Sequence, residues 1–83
     1  MKFTVLLTPA AEQQLAAIWL ASDNRQAVTS AADLIDEILS SMPEQVGSVS
    51  FDTVRSLLVS PLGVDFEIIA ADQVVYILGV EQS

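Results

Sequence analysis

Residues 51–80, FDTVRSLLVSPLGVDFEIIAADQVVYILGV, decide the fold of this 83-residue chain. Three apolar runs, rich in Val, Ile, Leu, Phe and Tyr, are divided by short breaks at 60–61 and 71–73. These residue types suit a pleated, half-buried surface, and the breaks are short enough for tight turns. The stretch therefore predicts a three-stranded antiparallel meander.

The alternation within each run predicts where its strand lies in the sheet. In residues 62–69, apolar side chains alternate with Gly63, Asp65 and Glu67, which is the pattern of a strand with one buried face. Residues 74–80 are apolar on both faces and predict a strand inside the sheet. Residues 3–7, FTVLL, are also apolar on both faces, so we expect an inner or covered strand there. Residues 44–50 predict a loop.

A helix is predicted directly after the first strand. Thr8 can cap exposed backbone N–H groups, and Pro9 fits the first helical position. One stripe at helical spacing contains three apolar residues, Ala11, Leu15 and Ile18, and continues to Ser22. Trp19 lies beside that stripe, where core packing is the favoured interpretation and anchoring of a partner is the alternative.

A second helix is predicted from Arg25 to Met42, because apolar residues recur there at steps of three and four. Pro43 ends it, since proline cannot donate the next helical hydrogen bond. Three carboxylates, Asp33, Asp36 and Glu37, occupy the opposite side, where a solvated face is favoured over a metal site. We therefore expect no metal and no cofactor.

The charge balance restricts the partners of the chain. The net charge is −8, from three basic and eleven acidic residues, and Lys2, Arg25 and Arg55 are far apart in sequence. Nucleic-acid binding needs clustered Lys and Arg to neutralise phosphate, so the composition argues against direct nucleic-acid binding. The chain has no Cys and no His, which excludes disulfides, Cys/His zinc sites and histidine acid–base chemistry.

The apolar content points toward protein partners. Hydrophobic residues make up 52% of a chain that is too small to bury all of them, and an exposed apolar patch often marks a partner site. A homo-oligomer is one expected outcome. No apolar run approaches the roughly 20 residues of a membrane span, and Pro9 and Glu12 interrupt the N-terminal run, so we expect a cytoplasmic protein without membrane contact.

The order strand, helix, helix and three strands resembles the RelE/ParE superfamily of toxin–antitoxin toxins, also called plasmid-stabilisation proteins. The resemblance covers nearly the whole chain as a single domain, 1–83. It is carried by residues 8–12 (TPAAE), Leu15, Ile18, Trp19, Met42-Pro43, Val54-Arg55, Leu57, Val59, 60–62 (SPL), Val64, Phe66, Asp72 and 74–80. It implies an α+β fold, β-α-α-β-β-β, with a helical hairpin packed on a mostly antiparallel four-stranded sheet.

The resemblance also implies candidate site residues. RelE-type toxins cleave messenger RNA on the ribosome with a cluster of Lys and Arg and a late Tyr or His, and ParE-type toxins inhibit DNA gyrase. Only Arg55 and Tyr76 match the residue types of a cleaving site, and they are the catalytic candidates if the chain is a nuclease. Gly63 stands where relatives often have Arg, and the chain ends in Glu81-Gln82-Ser83 rather than in basic residues.

Each catalytic candidate has a simpler interpretation. Arg55 can pair with a cross-strand carboxylate such as Glu67 or Asp65, or face solvent. Tyr76 can pack in the core with its hydroxyl at the rim. These structural interpretations are favoured, so enzymatic activity is an open question with the balance against it.

The favoured function is that of a type II toxin-family protein which acts by protein–protein binding, with an antitoxin and a gyrase-like target as partners and without nuclease activity. Both toxin types are neutralised by a small antitoxin, and an acidic chain implies a neutral or basic one. The alternatives are an endoribonuclease (mRNA interferase) with a reduced active site, and an inactive structural or oligomeric module.

Overall fold

A computed structural model describes residues 2–83, with the side chain of Ser50 excepted. Two α-helices and five strands follow one another within these residues. They are β1 (Thr4–Leu7), α1 (Pro9–Ala21), α2 (Arg25–Ser41), β2 (Ser48–Phe51), β3 (Val54–Val59), β4 (Leu62–Ile69) and β5 (Val74–Gln82). Short 3-10 turns at Pro43–Gln45 and Ala70–Asp72 precede β2 and β5.

The strands form one sheet in the order β1-β5-β4-β3-β2. The pairs β2–β3, β3–β4 and β4–β5 are antiparallel, and β1 joins β5 in parallel. The predicted antiparallel meander and the position of β5 inside the sheet are confirmed. So is the α+β fold with a helical hairpin, except that the sheet has five strands rather than four.

The additional strand is β2, in a segment for which the sequence predicts a loop at 44–50 and one strand from 51 to 59. The chain instead reverses at Asp52, whose φ of 54° lies in the left-handed region, and Phe51 pairs with Val54. Aspartate tolerates this conformation because its short polar side chain can hydrogen-bond locally. The prediction missed this strand because its alternation, Ser48-Val49-Ser50-Phe51, is only four residues long and directly follows Gly47.

Strand β1 lies at an edge of the sheet, so the expectation of an inner or covered strand is wrong. Val5 and Leu7 are half-buried, while Leu6 on the other face is 43% exposed. Leu6, the apolar residue on the second face of β1, is therefore partly exposed to solvent and is not covered by a further layer of the protein. The backbone directly before β1 is held by a 2.7 Å hydrogen bond from the N–H of Phe3 to the carbonyl of Ser40.

Helix α1 covers the edge of β5 beyond the end of β1. The N–H of Thr8 donates to the carbonyl of Ile77 at 3.0 Å, and its hydroxyl accepts from the N–H of Ala11 at 3.2 Å as the predicted helix cap. One turn later, Oε1 of Gln14 accepts from the backbone N–H of Val80 at 2.8 Å. Thus a side chain satisfies an edge N–H that no neighbouring strand reaches.

Helix α2 supplies most of the helical contribution to the core. Its buried residues, Val28, Ala31, Ile35 and Leu39, follow the predicted spacing. They pack with Ala11 of α1 on the sheet residues Leu62, Val64, Phe66, Val75, Ile77 and Val80. Each fully buried Val, Leu, Ile or Phe side chain contributes about 1.5–3 kcal/mol relative to exposure. Both helices therefore lie on one face of the sheet, and the other face is open.

No helix within residues 2–83 combines the length and the apolar character that crossing a membrane requires.

Candidate functional site: the open sheet face and the helical groove

The strand register decides which side chains reach the open face of the sheet. Directly paired residues project to the same side, and successive residues in a strand alternate. Leu62, Val64 and Phe66 are buried against the helices. Asp65 and Glu67 of β4 consequently project from the open face.

One row of side chains crosses all five strands on this open face. Its members are Leu6, Tyr76, Glu67, Val54 and Phe51, joined pairwise by the register. Phe51 is 76% exposed and Tyr76 is 38% exposed. The open face therefore presents apolar and aromatic groups beside a carboxylate.

A groove of about 570 Å³ lies next to this row, and we call it the acidic groove. It is lined by Gly47, Ser48, Ser56, Leu57, Leu58, Gly63, Val64, Asp65, Glu81, Gln82 and Ser83. No Lys or Arg is among these lining residues. Gly63 has no side chain to fill the groove. A Cβ placed there would lie 3.6 Å from Cγ of Glu81.

Hydroxyl groups of β3 and its turn hold two carboxylates of the open face. Oγ of Ser56 donates to Oδ1 of Asp65 at 2.6 Å. Oγ1 of Thr53 donates to Oε2 of Glu67 at 2.5 Å. Both acidic side chains are thus oriented by neighbours on the same face, and neither uses Arg55.

Arg55 projects toward the helix side of the sheet. It pairs with Phe66, which is fully buried, whereas Asp65 and Glu67 project the other way. The expected cross-strand ion pair with Glu67 or Asp65 is therefore wrong, because the register places Arg55 one residue out of phase with both carboxylates. Within the described residues, the buried Nε atom of Arg55 has no hydrogen-bond partner.

The two catalytic candidates are not brought together. Tyr76 shares the open face with Glu67, and Arg55 shares the opposite face with Phe66. Neither side chain lines the acidic groove. The described geometry therefore offers no single surface on which Arg55 and Tyr76 converge on one phosphodiester group.

Trp19 and Arg25 form a second cluster at the closed end of the helical hairpin. The Arg25 guanidinium lies 4.8 Å from the centre of the Trp19 ring and donates to the carbonyls of Trp19 and Leu20, at 3.1 Å each. Nε1 of Trp19 donates to the hydroxyl of Thr29 at 3.1 Å. Trp19 is 40% exposed, so the favoured prediction of core packing is wrong. The amphiphilic indole instead bridges the two helices at the surface.

Between the two helices lies a groove of about 480 Å³, which we call the hairpin groove. It is lined by Leu7, Glu12, Leu15, Ala16, Trp19, Leu20, Val28, Thr29, Ala32 and Asp33. Apolar side chains predominate, and Leu20 is 63% exposed. The sequence signal for this groove was the pair Trp19-Leu20 just outside the predicted apolar stripe.

Within residues 2–83, no three His, Cys, Asp or Glu side chains come together in a way that could hold a metal ion. The three carboxylates of α2, at positions 33, 36 and 37, are exposed on the helix surface.

Several solved structures share this architecture. No protein-family model and no curated protein sequence matches the chain. A chain of the RelBE2 toxin–antitoxin complex from Mycobacterium tuberculosis superposes with a TM-score of 0.82 at 20% identity, covering 100% of this chain and 93% of that one. The chain has the RelE/ParE fold. The resemblance predicted from the sequence is confirmed at this level.

Two further structures agree with that assignment. A chain of the chromosomal ParDE system from P. aeruginosa matches with a TM-score of 0.70 at 18% identity over 98% of this chain and 96% of that one. The isolated E. coli RelE toxin matches with a TM-score of 0.63 at 14% identity over 98% and 84%. At such low identities the comparison shows a shared fold alone. Function must therefore be argued from the surface residues of this chain.

Proposed function

We propose that this chain is the toxin-fold member of a type II toxin–antitoxin system, and that it acts by binding proteins rather than by cleaving RNA. The observation that carries the proposal is the chemistry of the open sheet face. Its groove contains Asp65 and Glu81 and no described cation, while Arg55 lies on the other side of the sheet.

Phosphodiester cleavage needs cations that stabilise the charge developing on the phosphate. Approach of RNA also needs a favourable field, and a chain with net charge −8 repels polyanions. The separation of Arg55 and Tyr76 adds a geometric obstacle to a reaction that uses both. These three arguments favour a protein target, of which a gyrase-like enzyme is the example that ParE-type toxins provide.

Binding of an antitoxin is supported by two observations. Structures with this fold include chains of the RelBE2 and ParDE toxin–antitoxin systems. In addition, the helical hairpin exposes a continuous apolar groove that a small partner could cover. The acidic charge implies a neutral or basic antitoxin, and we place the complex in the cytoplasm.

The test is inducible expression of this chain, alone and together with the product of the neighbouring reading frame. We expect growth arrest with the chain alone, rescue on co-expression, and a stable heteromeric complex in size-exclusion chromatography with light scattering. Absence of both toxicity and complex would contradict the proposal. A stable homo-oligomer without toxicity would instead favour a structural module.

A second arm of the experiment separates protein binding from RNA cleavage. Messenger RNA from induced cells is mapped by primer extension for wild type, Arg55→Ala and Tyr76→Phe. We expect no induced cleavage sites in any of the three. Cleavage by wild type that disappears in both variants would establish the endoribonuclease alternative and refute the proposal.

A further inference from the structure

We propose that the open sheet face binds an arginine of the target protein, held by the two carboxylates of β4 and stacked on the ring of Tyr76. That this arginine belongs to the target rests on the proposed function, whereas the chemistry that selects arginine does not. Both helices pack on the other side of the sheet, so the open face stays accessible when a partner covers the hairpin groove.

Two carboxylates stand side by side at the centre of this face. Asp65 and Glu67 are two residues apart on β4, the middle strand of the sheet, so their side chains project together about 7 Å apart. Arg55 is the single Lys or Arg among the residues of the five described strands, and it projects toward the helices. The negative charge at the centre of the face is therefore not neutralised by a neighbouring strand.

Neighbouring hydroxyls orient both carboxylates and leave one oxygen of each for a ligand. Ser56 donates to Oδ1 of Asp65 at 2.6 Å, and Thr53 donates to Oε2 of Glu67 at 2.5 Å. Within residues 2–83, the other oxygen of each carboxylate accepts no hydrogen bond. Both groups are thus fixed before a ligand arrives, which lowers the entropic cost of binding. A guanidinium suits them because it offers five N–H donors in one planar fork.

Tyr76 selects arginine over lysine. It is directly paired with Glu67, which places the two Cβ atoms about 4.5–5.5 Å apart on the open face. The Tyr76 side chain is 38% exposed and is therefore accessible to a ligand. A guanidinium bound to Glu67 can lie within about 6 Å of the ring, the range in which a ring face attracts a cation. Arginine also stacks flat on such a ring, whereas the lysine ammonium is a compact and strongly hydrated charge.

Apolar side chains flank this pair on both sides. Val54 and Phe51 continue the row from Glu67 toward one edge of the sheet. Leu6 follows Tyr76 at the other edge. Phe51 is 76% exposed and Leu6 is 43% exposed. Apolar contacts around an arginine exclude water from it, and arginines in such surroundings are frequent hot spots of protein interfaces. We therefore expect the target to present apolar residues on both sides of its arginine.

A second copy of this chain does not supply the arginine. Arg25 is stacked on Trp19 and donates to two backbone carbonyls. Arg55 is half-buried on the helix side of the sheet, with its Nε atom buried. These are the two arginines of the chain, and each copy carries a net charge of −8. Two such faces repel each other and also repel nucleic acid, so the complement is a cationic surface of another protein.

The experiment titrates the isotope-labelled full chain with three short synthetic peptides and follows its N–H signals by NMR. The peptides differ only at the central residue, which is arginine, its neutral isostere citrulline, or lysine. They carry leucine two residues to either side and no other charge. We expect the arginine peptide to shift the amide signals of Glu67 and Tyr76 and to leave the indole N–H of Trp19, on the helical hairpin, unchanged.

The dissociation constants of the peptides test the choice of arginine. The lysine peptide should bind about two- to fivefold more weakly than the arginine peptide, the range of an exposed contact between a cation and a ring. The citrulline peptide should bind at least about tenfold more weakly, because it loses the charge-assisted hydrogen bonds to the carboxylates. Equal binding of the three peptides would overturn the proposal, and so would shifts that appear at Trp19 alone.

Two substitutions of Tyr76 test the stacking. Tyr76→Leu removes the ring and should bring the affinity of the arginine peptide down to that of the lysine peptide. Tyr76→Phe keeps the ring and should preserve the difference between the two peptides. If Tyr76→Phe loses this difference as Tyr76→Leu does, the contact is made by the hydroxyl group and the proposed stacking is refuted.

Charge variants test the two carboxylates. Glu67→Gln and Asp65→Asn should each weaken binding of the arginine peptide by about two- to fivefold, the range of an exposed charge pair. Glu44→Gln and Asp72→Asn remove the same charge from exposed positions outside the strands and should leave the dissociation constant unchanged. If the second pair weakens binding as much as the first, the attraction comes from the net charge alone and the proposal fails.

Growth arrest separates this proposal from the proposed function. Glu67→Gln should reduce the growth arrest on induction and leave the complex with the product of the neighbouring reading frame intact. A variant as toxic as wild type would refute docking of the target on this face, although the proposed function would stand. Loss of the complex in Glu67→Gln would place the antitoxin there instead and also refute the proposal. Peptide binding by a chain with neither toxicity nor complex would refute the proposed function and the assignment of the arginine to a target.

Discussion

Replacing Gly47 by alanine tests the turn that leads into β2. Gly47 has a φ of +73°, a conformation in which side chains are strained. A Cβ at this position would lie 2.5 Å from the carbonyl oxygen of Ser56 and 3.3 Å from Cε1 of Phe66. The first contact is with the backbone of β3, so relieving it requires a shift of the β2–β3 pairing.

The cost of Gly47→Ala has two parts. The left-handed conformation costs an alanine about 1–2 kcal/mol. Overpacking against the backbone typically adds about 1–3 kcal/mol, so we expect a total loss of at least about 2 kcal/mol. A chain of this length has a folding free energy of roughly 4–12 kcal/mol, and a loss of this size lowers Tm by about 8–16 °C.

Gly63→Ala is the matched control, with the same chemical change in the middle of the sheet. A Cβ at Gly63 would meet Glu81 at 3.6 Å and Leu58 at 3.9 Å, which are ordinary contacts. Glycine inside a strand is about 0.5–1 kcal/mol less favourable than alanine, so stability should stay the same or rise. The two substitutions therefore act in opposite directions.

Urea unfolding monitored by circular dichroism and by Trp19 fluorescence measures both variants against wild type. The expected result is a lower midpoint for Gly47→Ala at an unchanged m-value, and an equal or higher midpoint for Gly63→Ala. If Gly47→Ala is as stable as wild type, the close approach of residue 47 to the backbone of Ser56 is incorrect. The positions of Gly47 and Ser48 in the lining of the acidic groove would then be incorrect as well.

Four further substitutions test other parts of the fold. Gln14→Ala removes the acceptor of the Val80 N–H and should cost about 1 kcal/mol, with faster hydrogen exchange at that amide. Phe66→Ala should cost about 3–5 kcal/mol in urea unfolding because its side chain is fully buried, whereas Phe51→Ala, at a residue that is 76% exposed, should be nearly neutral. Arg55→Met should be as stable as wild type or more so, because it keeps an apolar stem and removes a buried Nε that has no hydrogen-bond partner. A large loss of stability in urea unfolding would reveal a partner for that atom.

Periodicity identified the helices because α2 buries a continuous stripe. Val28, Ala31, Ile35 and Leu39 are separated by three or four residues, and each is almost fully buried. A local pattern is sufficient in that case, since one helix face meets one sheet. The meander could be predicted from the sequence for a similar reason, because β4 alternates buried and half-buried residues along most of its length.

The candidate site depended on register, which a local pattern does not contain. A shift of one residue in the pairing of β3 with β4 would move Arg55 from the side of Phe66 to the side of Asp65 or Glu67. The actual register is set by the short turn that pairs Val59 with Leu62. For that reason the sequence identified Arg55 as a candidate but assigned it the wrong neighbours.

The opposite placement of Arg55 and Tyr76 changes how functional variants should be interpreted. Arg55 is half-buried on the helix side, so Arg55→Ala removes packing as well as charge, and a loss of toxicity in that variant has two explanations. Arg55→Met separates them, because it restores the packing without the charge. Tyr76 is partly exposed on the open face, and Tyr76→Phe removes only a hydroxyl there. Toxicity that survives Arg55→Met and Tyr76→Phe would require a surface other than a cationic active site, and the acidic groove and the hairpin groove are the described surfaces that remain.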